Sequence, residues 1–290
     1  MTLWVKLRPY AMVAPALTVF SLFFIYPILY MIYLSMYEWN FISPTKKFVG
    51  LQNFTELLQE KDFIQVITNS TVYTILTVTF IIAISLLLAL WLNKTGAFHS
   101  FVQGAIFSPH IVSWVSISMI WSWVMDPQFR LLNWFIGLFG FAKLAWLSST
   151  STSLVSLVIV AVWKGLGYNT LVFIAGLQSI PKDIYEAASL DRSNPWTTFY
   201  KLIFPMLSPT IFFLVIINMI GSFQVFETIA IMTQGGPVNT TNTLVYYIYE
   251  YGFRFFKIGY ASAAGVILLF IVGILTLIYF KMMSKRVHYQ

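Results

Sequence analysis

Apolar residues run along this chain in long uninterrupted stretches, and polar residues gather in short patches between them. A stretch of about 20 mostly apolar residues is long enough to cross a bilayer as a helix. The qualifying stretches are roughly Ala11–Tyr33, Val72–Leu92, Phe101–Met125, Ser153–Ala175, Thr210–Met232 and Ala261–Phe280. The pattern predicts an all-α polytopic membrane protein with six transmembrane helices, forming one domain over residues 1–290. An even number of crossings puts both termini on one side. With the N-terminus inside, the inner segments hold nine Lys and Arg and the outer segments seven. That excess predicts both ends in the cytoplasm. Two shorter helices are expected in outer loops, over Asn53–Phe63 and Leu131–Phe139.

Composition agrees and narrows the chemistry. The chain is 59% hydrophobic and 9% charged, against about 25% charged in soluble domains. The basic first nine residues lead into a long apolar run, which reads as a first crossing rather than a removed leader. Cysteine is absent, which excludes disulfides, thiol nucleophiles and thiolate-bound metals. The net charge of +7 comes from bases scattered at the ends of the apolar stretches, so no nucleic-acid surface is expected. The three His lie far apart, and neither a metal site nor a catalytic cluster emerges. No Gly-x4-Gly-Lys-Ser/Thr loop exists, so the chain has no usual means of binding ATP.

The longest charged segment between apolar stretches is Ser179–Pro209. Ser179 is placed to cap a helix with Pro181 in its first turn, running to Asp191. Asn194 and Pro195 repeat the start signal. Trp196, Phe199, Tyr200 and Ile203 then follow at helical spacing, until Pro205 and Pro209 end or kink the helix.

Polar residues inside the stretches are the remaining signals. Lys164 lies mid-stretch, where an ammonium costs at least about 2.5–3.5 kcal/mol, so it must face a polar cavity or a partner. Gly165 and Gly167 would let a ligand approach backbone, and Trp163 and Tyr168 offer flat faces suited to sugar rings. Packing, with Lys164 paired to a carboxylate such as Glu227, is the equal alternative. In the fifth stretch Asn218, Ser222 and Val225 share one helix face, beside Gly221, and Gln224 and Glu227 form a second polar pair. These suit a neutral polyol, or else hydrogen bonds between helices worth about 0.6 kcal/mol each. Ser108, Ser113, Ser116 and Ser118 of the third stretch serve either helix packing or a polar path.

Glu186-Ala187-Ala188, Asp191, Phe199, Ile203 and Pro205 together resemble the EAA loop of permease subunits in binding-protein-dependent ABC importers. Phe48–Phe54 (FVGLQNF), Gln234-Gly-Gly-Pro237 and Gly259–Ala263 (GYASA) are similar to segments of the carbohydrate-uptake group. The resemblance implies the type I importer fold in a prokaryotic cell membrane, and ATP-driven import of a sugar or oligosaccharide by alternating access. Glycerol phosphate is the other substrate it allows. It also implies a second homologous permease, a cytoplasmic ATPase dimer and an extracytoplasmic sugar-binding protein, with lipid around the chain and no cofactor. The ATPase would dock on Glu186, Ala187, Ala188, Asp191, Arg192, Phe199 and Pro205. Substrate would meet Lys164, Gly165 and Tyr168 before the loop, and Asn218, Gly221, Ser222 and Val225 after it. Arg192 departs from the family, which has Gly there for a tight turn.

Overall fold

The computed structural model describes residues 3–128 and 131–283. The chain begins with α1 (Leu3–Phe20) and α2 (Tyr26–Leu34), then β1 (Tyr37–Glu38), β2 (Lys47–Phe48) and α3 (Gln52–Gln59). Next come α4 (Lys61–Leu92), α5 (Ala97–Ile111), α6 (Trp114–Val124), α7 (Leu131–Gly137) and α8 (Ser153–Gln178). A hairpin follows, made of α9 (Lys182–Leu190), α10 (Pro195–Thr198) and α11 (Phe204–Met206). The chain ends through α12 (Ser208–Phe223), α13 (Glu227–Met232), α14 (Leu244–Tyr249) and α15 (Ile258–Met283). Contacts group these elements into two compact units.

One unit comprises residues 1–63 and 247–270. A π turn, Ser21–Ile25, joins α1 to α2. Its centre, Phe23, is the residue whose carbonyl would have received an amide from Pro27, and the wider turn absorbs that missing donor. β1 pairs antiparallel with β2, Tyr37 opposite Phe48. Asn53 Nδ2 donates to the carbonyls of Ser35 and Tyr37 at 2.8 and 3.1 Å. Gly259 lies so close to the Tyr37 carbonyl that a Cβ there would overlap it. The Asn of FVGLQNF and the Gly of GYASA thus converge on one peptide group.

The helix expected over Asn53–Phe63 is instead two elements. α3 stops at Gln59 and α4 starts at Lys61, with Glu60 extended between them. Leaving the helix lets the Glu60 carboxylate accept from the hydroxyls of Tyr247 at 2.7 Å, Tyr251 at 3.0 Å, and Tyr260. Burial pushes this carboxyl up, but the hydroxyls of Tyr260, Tyr247 and Tyr251, with the Lys257 charge, outweigh it and hold it below the usual carboxylate range.

The other unit comprises residues 64–246 and 271–290. α4 is helical eleven residues before the apolar stretch that predicts it, because its polar start is bonded inside the protein. Asn69 Nδ2 donates to the carbonyls of Asn239 and Asn242 at 2.7 and 3.0 Å, and Ser70 Oγ accepts from the Leu244 amide at 2.9 Å. Two apolar cores hold the unit. One gathers Tyr73, Leu157, Val160, Ile229 and Tyr246; the other gathers Leu92, Phe173, Leu177, Leu207 and Leu214.

Among the described residues, four helices are long and apolar enough to cross a membrane, and the number reaches six if two bent pairs each count once. The third stretch is one of those pairs, not a single rod. α5 and α6 meet at 100° across Val112 and Ser113. Pro109 removes the amide that would have reached Ala105, and Ser108 Oγ donates to that carbonyl instead, at 2.9 Å. Val112 is extended, and Ser113 caps α6 by accepting from the Ser116 amide at 3.2 Å. The fifth stretch is also broken. α12 begins after a 64° bend at Leu207 and stops at Phe223, with α13 starting afresh at Glu227. Val225 therefore leaves the Asn218–Ser222 face, and Gln224 and Glu227 do not share a helix. The Val225 carbonyl instead accepts from Thr243 Oγ1 at 3.4 Å.

Candidate functional site

α8 carries small residues where neighbours come close. A Cβ at Gly167 would overlap the backbone of Ile106 and Phe107, so α5 packs directly on the α8 backbone. At Gly176 a Cβ would lie 2.6 Å from Thr210 Oγ1, and this brings α12 against the cytoplasm-proximal end expected for α8. With α5 and α12 held on it and the break at Val112–Ser113 beside it, α8 forms the floor of a cavity of about 590 Å³. That lies within the range of about 300–1,000 Å³ usual for ligand sites. All seven residues expected to meet substrate line it: Lys164, Gly165, Tyr168, Asn218, Gly221, Ser222 and Val225. The structure brings together residues that lie up to 61 positions apart in the sequence (225 − 164).

Lys164 is 4% exposed and, among the described residues, has no carboxylate partner. Its ammonium donates to the carbonyls of Pro109, His110 and Val112 at 3.0, 3.2 and 2.5 Å and lies 4.9 Å above the Trp114 ring. The carboxylate pairing expected with Glu227 is therefore corrected. The end of α5 supplies a stronger claim, since the last carbonyls of a helix have no amide within it and carry its negative pole. An ammonium has three N–H donors, and these three carbonyls take them all.

The other polar groups divide into paired and open. Asn169 and Asn218 face each other across α8 and α12. Asn218 Nδ2 donates to Asn169 Oδ1 at 2.6 Å, and Asn169 Nδ2 returns a longer bond at 3.4 Å. Each amide also reaches its own helix, Asn169 to Gly165 O and Asn218 to Leu214 O. The Tyr168 ring stacks on His110, centroids 5.0 Å apart and 15° from parallel. Thr228 Oγ1 is buried in the wall without a partner among the described residues. Sequence reasoning missed Asn169, Trp114 and Thr228 as wall residues. Asn169 was visible as a polar residue one helical turn after Gly165, but nothing in the spacing ties it to Asn218.

The hairpin between α8 and α12 has a different character. Ala188 is buried, and Ile184, Tyr185 and Ile203 pack on the core around Phe173 and Leu177. Phe199 and Pro205 are half-buried, while Glu186, Ala187, Asp191 and Arg192 are exposed. Leu190 is 85% exposed and Trp196 70%, and Trp196 stacks on Tyr200 at 6.0 Å. Among the described residues, Glu186 and Asp191 form no ion pair. Ser179 does not cap α9 as expected. Its hydroxyl donates back to Gly176 O at 2.7 Å, and Pro181 precedes the helix. Asn194 does cap α10, accepting from the Trp196 amide at 3.0 Å. A π turn, Phe199–Ile203, centres on Lys201, four residues before Pro205. It repeats the device seen before Pro27, so Pro205 widens the helix, and the bend itself falls at Leu207.

Comparison with known proteins fits this arrangement. An sn-glycerol-3-phosphate transport system permease protein, UgpA, of Agrobacterium fabrum is 33% identical over 287 residues, covering 98% of this chain and 97% of the relative. The probable ABC transporter permease protein YurN of Bacillus subtilis is 32% identical, covering 95% and 96%. Among solved structures, a chain of a bacterial ABC transporter involved in import of the acidic polysaccharide alginate superposes with a TM-score of 0.83 at 25% identity, covering 98% of each chain. The family model for the inner membrane component of binding-protein-dependent transport systems matches residues 70–289. With its apolar crossings, its exposed hairpin and its full-length match to these permeases, this chain belongs to the family of binding-protein-dependent transport system inner membrane components.

Proposed function

We propose that this chain is the permease subunit of an ATP-driven importer for a neutral sugar or oligosaccharide, and that the α5–α8–α12 cavity is its share of the substrate path. The observation that carries this is the cavity wall. Tyr168, Ser222 and Gln224 present hydroxyl and amide groups, and the His110–Tyr168 stack offers an aromatic face. Hydroxyl-rich ligands need such donors and acceptors beside flat apolar surface. Two relatives bear names or titles pointing to charged cargo, glycerol phosphate and alginate. A phosphate or carboxylate needs free cationic donors. The buried cation in this wall has given all its N–H groups to carbonyls, and Glu227 adds a negative group. The wall therefore favours an uncharged ligand.

The remaining parts follow from the family and the hairpin. Exposed Glu186, Asp191, Arg192, Leu190 and Trp196 support a surface for a cytoplasmic ATPase dimer, and a cytoplasmic hairpin goes with both termini inside. The apolar window of the first crossing buries nothing within this chain, which supports a second homologous permease beside it. An extracytoplasmic binding protein delivers the sugar, and the chain itself catalyses no reaction. The test is uptake by the assembled transporter in proteoliposomes, offered neutral di- and trisaccharides and, separately, sn-glycerol 3-phosphate. Uptake of a neutral sugar, reduced at least tenfold by Asn218→Leu with Ser222→Leu while assembly persists, is expected. Uptake of glycerol phosphate alone would refute the choice of ligand, and uptake indifferent to both substitutions would refute the site.

A further inference from the structure

We propose that Lys164 is a positioning residue, a tethered cation that stands in for the missing amide donors at the end of α5 and so fixes the break that shapes one wall of the cavity. α5 ends at Ile111 because Val112 turns extended, which leaves its last carbonyls without helical partners at the edge of the cavity. Water satisfies such groups at a protein surface; lipid does not. Non-helical backbone at that depth persists where it lines a cavity or where something within the protein meets its polar groups, and in ion-driven carriers unwound carbonyls often hold a metal cation. Here Pro109, His110 and Val112 hold the Lys164 ammonium, and the Trp114 ring covers it. Gly167, one turn further along α8, lets the α5 backbone come close enough for these bonds. His110, Val112, Ser113 and Trp114, the residues around the break, all line the cavity. The charge thus acts on the ligand through the wall and not by touching it.

This inference rests on reading the cavity as the transport path, but the break can be measured without any ligand. The chain has no cysteine, so spin labels at Phe101→Cys and Ile120→Cys report the separation of α5 and α6 in the assembled transporter. Native Lys164 is expected to give one narrow distance, and Lys164→Met a broad or shifted one. Uptake should fall at least tenfold in Lys164→Met, with KM changed less than threefold. Lys164→Ala lacks the three carbons and the nitrogen that n-propylammonium supplies. Adding that amine should restore a third or more of the lost uptake, narrow the distance again, and leave the native transporter unchanged. An unchanged distance in Lys164→Met would overturn the proposal. So would a KM raised more than tenfold at full maximal rate, which marks a direct ligand. If Lys164→Ala assembles neither with nor without the amine, the tethered-cation account is also wrong.

Discussion

Two helix ends in this chain solve one problem in opposite ways. α5 ends at Ile111 beside the cavity, and a side chain from another helix comes in to close it. α9 ends at Leu190 on the exposed hairpin and closes itself. The Arg192 amide donates to Ser189 O at 3.1 Å and the Ser193 amide to Ala188 O at 3.0 Å, with Arg192 left-handed at φ +47°. That is the Schellman arrangement, in which the left-handed residue is usually glycine. The turn expected to suffer from Arg192 forms all the same, at a strain of about 1–2 kcal/mol for a residue with a Cβ. The contrast teaches that local backbone bonding is enough where water solvates the remaining carbonyls. Where the end packs against a second helix, as α5 does on α8, a charge from that helix takes the carbonyls instead.

The largest way to break this contrast is at Lys164. Each buried carbonyl left unpaired costs about 1–3 kcal/mol. Lys164→Met should therefore lower stability in nanodiscs by at least about 2 kcal/mol, read by thermal unfolding; a loss below half that value would mean that α5 does not need the ammonium. Next comes Gly167→Leu. It should force α5 off α8 and destabilise by about 3 kcal/mol, the upper end for overpacking, with the same label pair shifting as in Lys164→Met. A native distance in Gly167→Leu would show that close approach is not what seats the lysine. The smallest effect belongs to the exposed end. Arg192→Gly should relieve the left-handed strain and raise stability by about 1 kcal/mol. A fall in stability would show that the Arg192 side chain holds the turn through contacts that outweigh its backbone.

Much of this was legible in the sequence, and what was not has a common cause. Long apolar runs mark crossings because a bilayer requires them, and Asn194-Pro195 marks a helix start because a cap must lie there. The breaks inside the third and fifth stretches escaped notice because the few polar residues at each, Ser113 in one and Gln224 in the other, are too few to interrupt a run of about 20 mostly apolar residues. Pro109 removes one helical donor, but the 100° turn also involves Ser108 bonding to Ala105, Ser113 capping α6 and Lys164 on the carbonyls between them. The cavity residues were named from their polarity and from the family resemblance. Their partners were not, because Lys164 and Val112 lie 52 residues apart, as do Asn169 and Asn218 at 49. Such pairings come from tertiary packing, which one-dimensional spacing does not carry. Glu60 is the clearest case. It resembles any loop carboxylate until residues almost 200 positions away are folded around it.

The amide pair between Asn169 and Asn218 has a mechanical consequence. It joins the two rods that flank the hairpin beside the cavity, and the Gly176–Thr210 contact and the core of Phe173, Leu177 and Leu214 join them again nearer the hairpin, so a tug on the hairpin is passed to both rods together. From Asn169 to Gln178 is about 14 Å of helix, and from Asn169 back to Ser153 about 24 Å, at 1.5 Å per residue. The part of α8 clamped to α12 is thus the shorter one, next to the hairpin, and the longer part runs past Lys164 and the cavity.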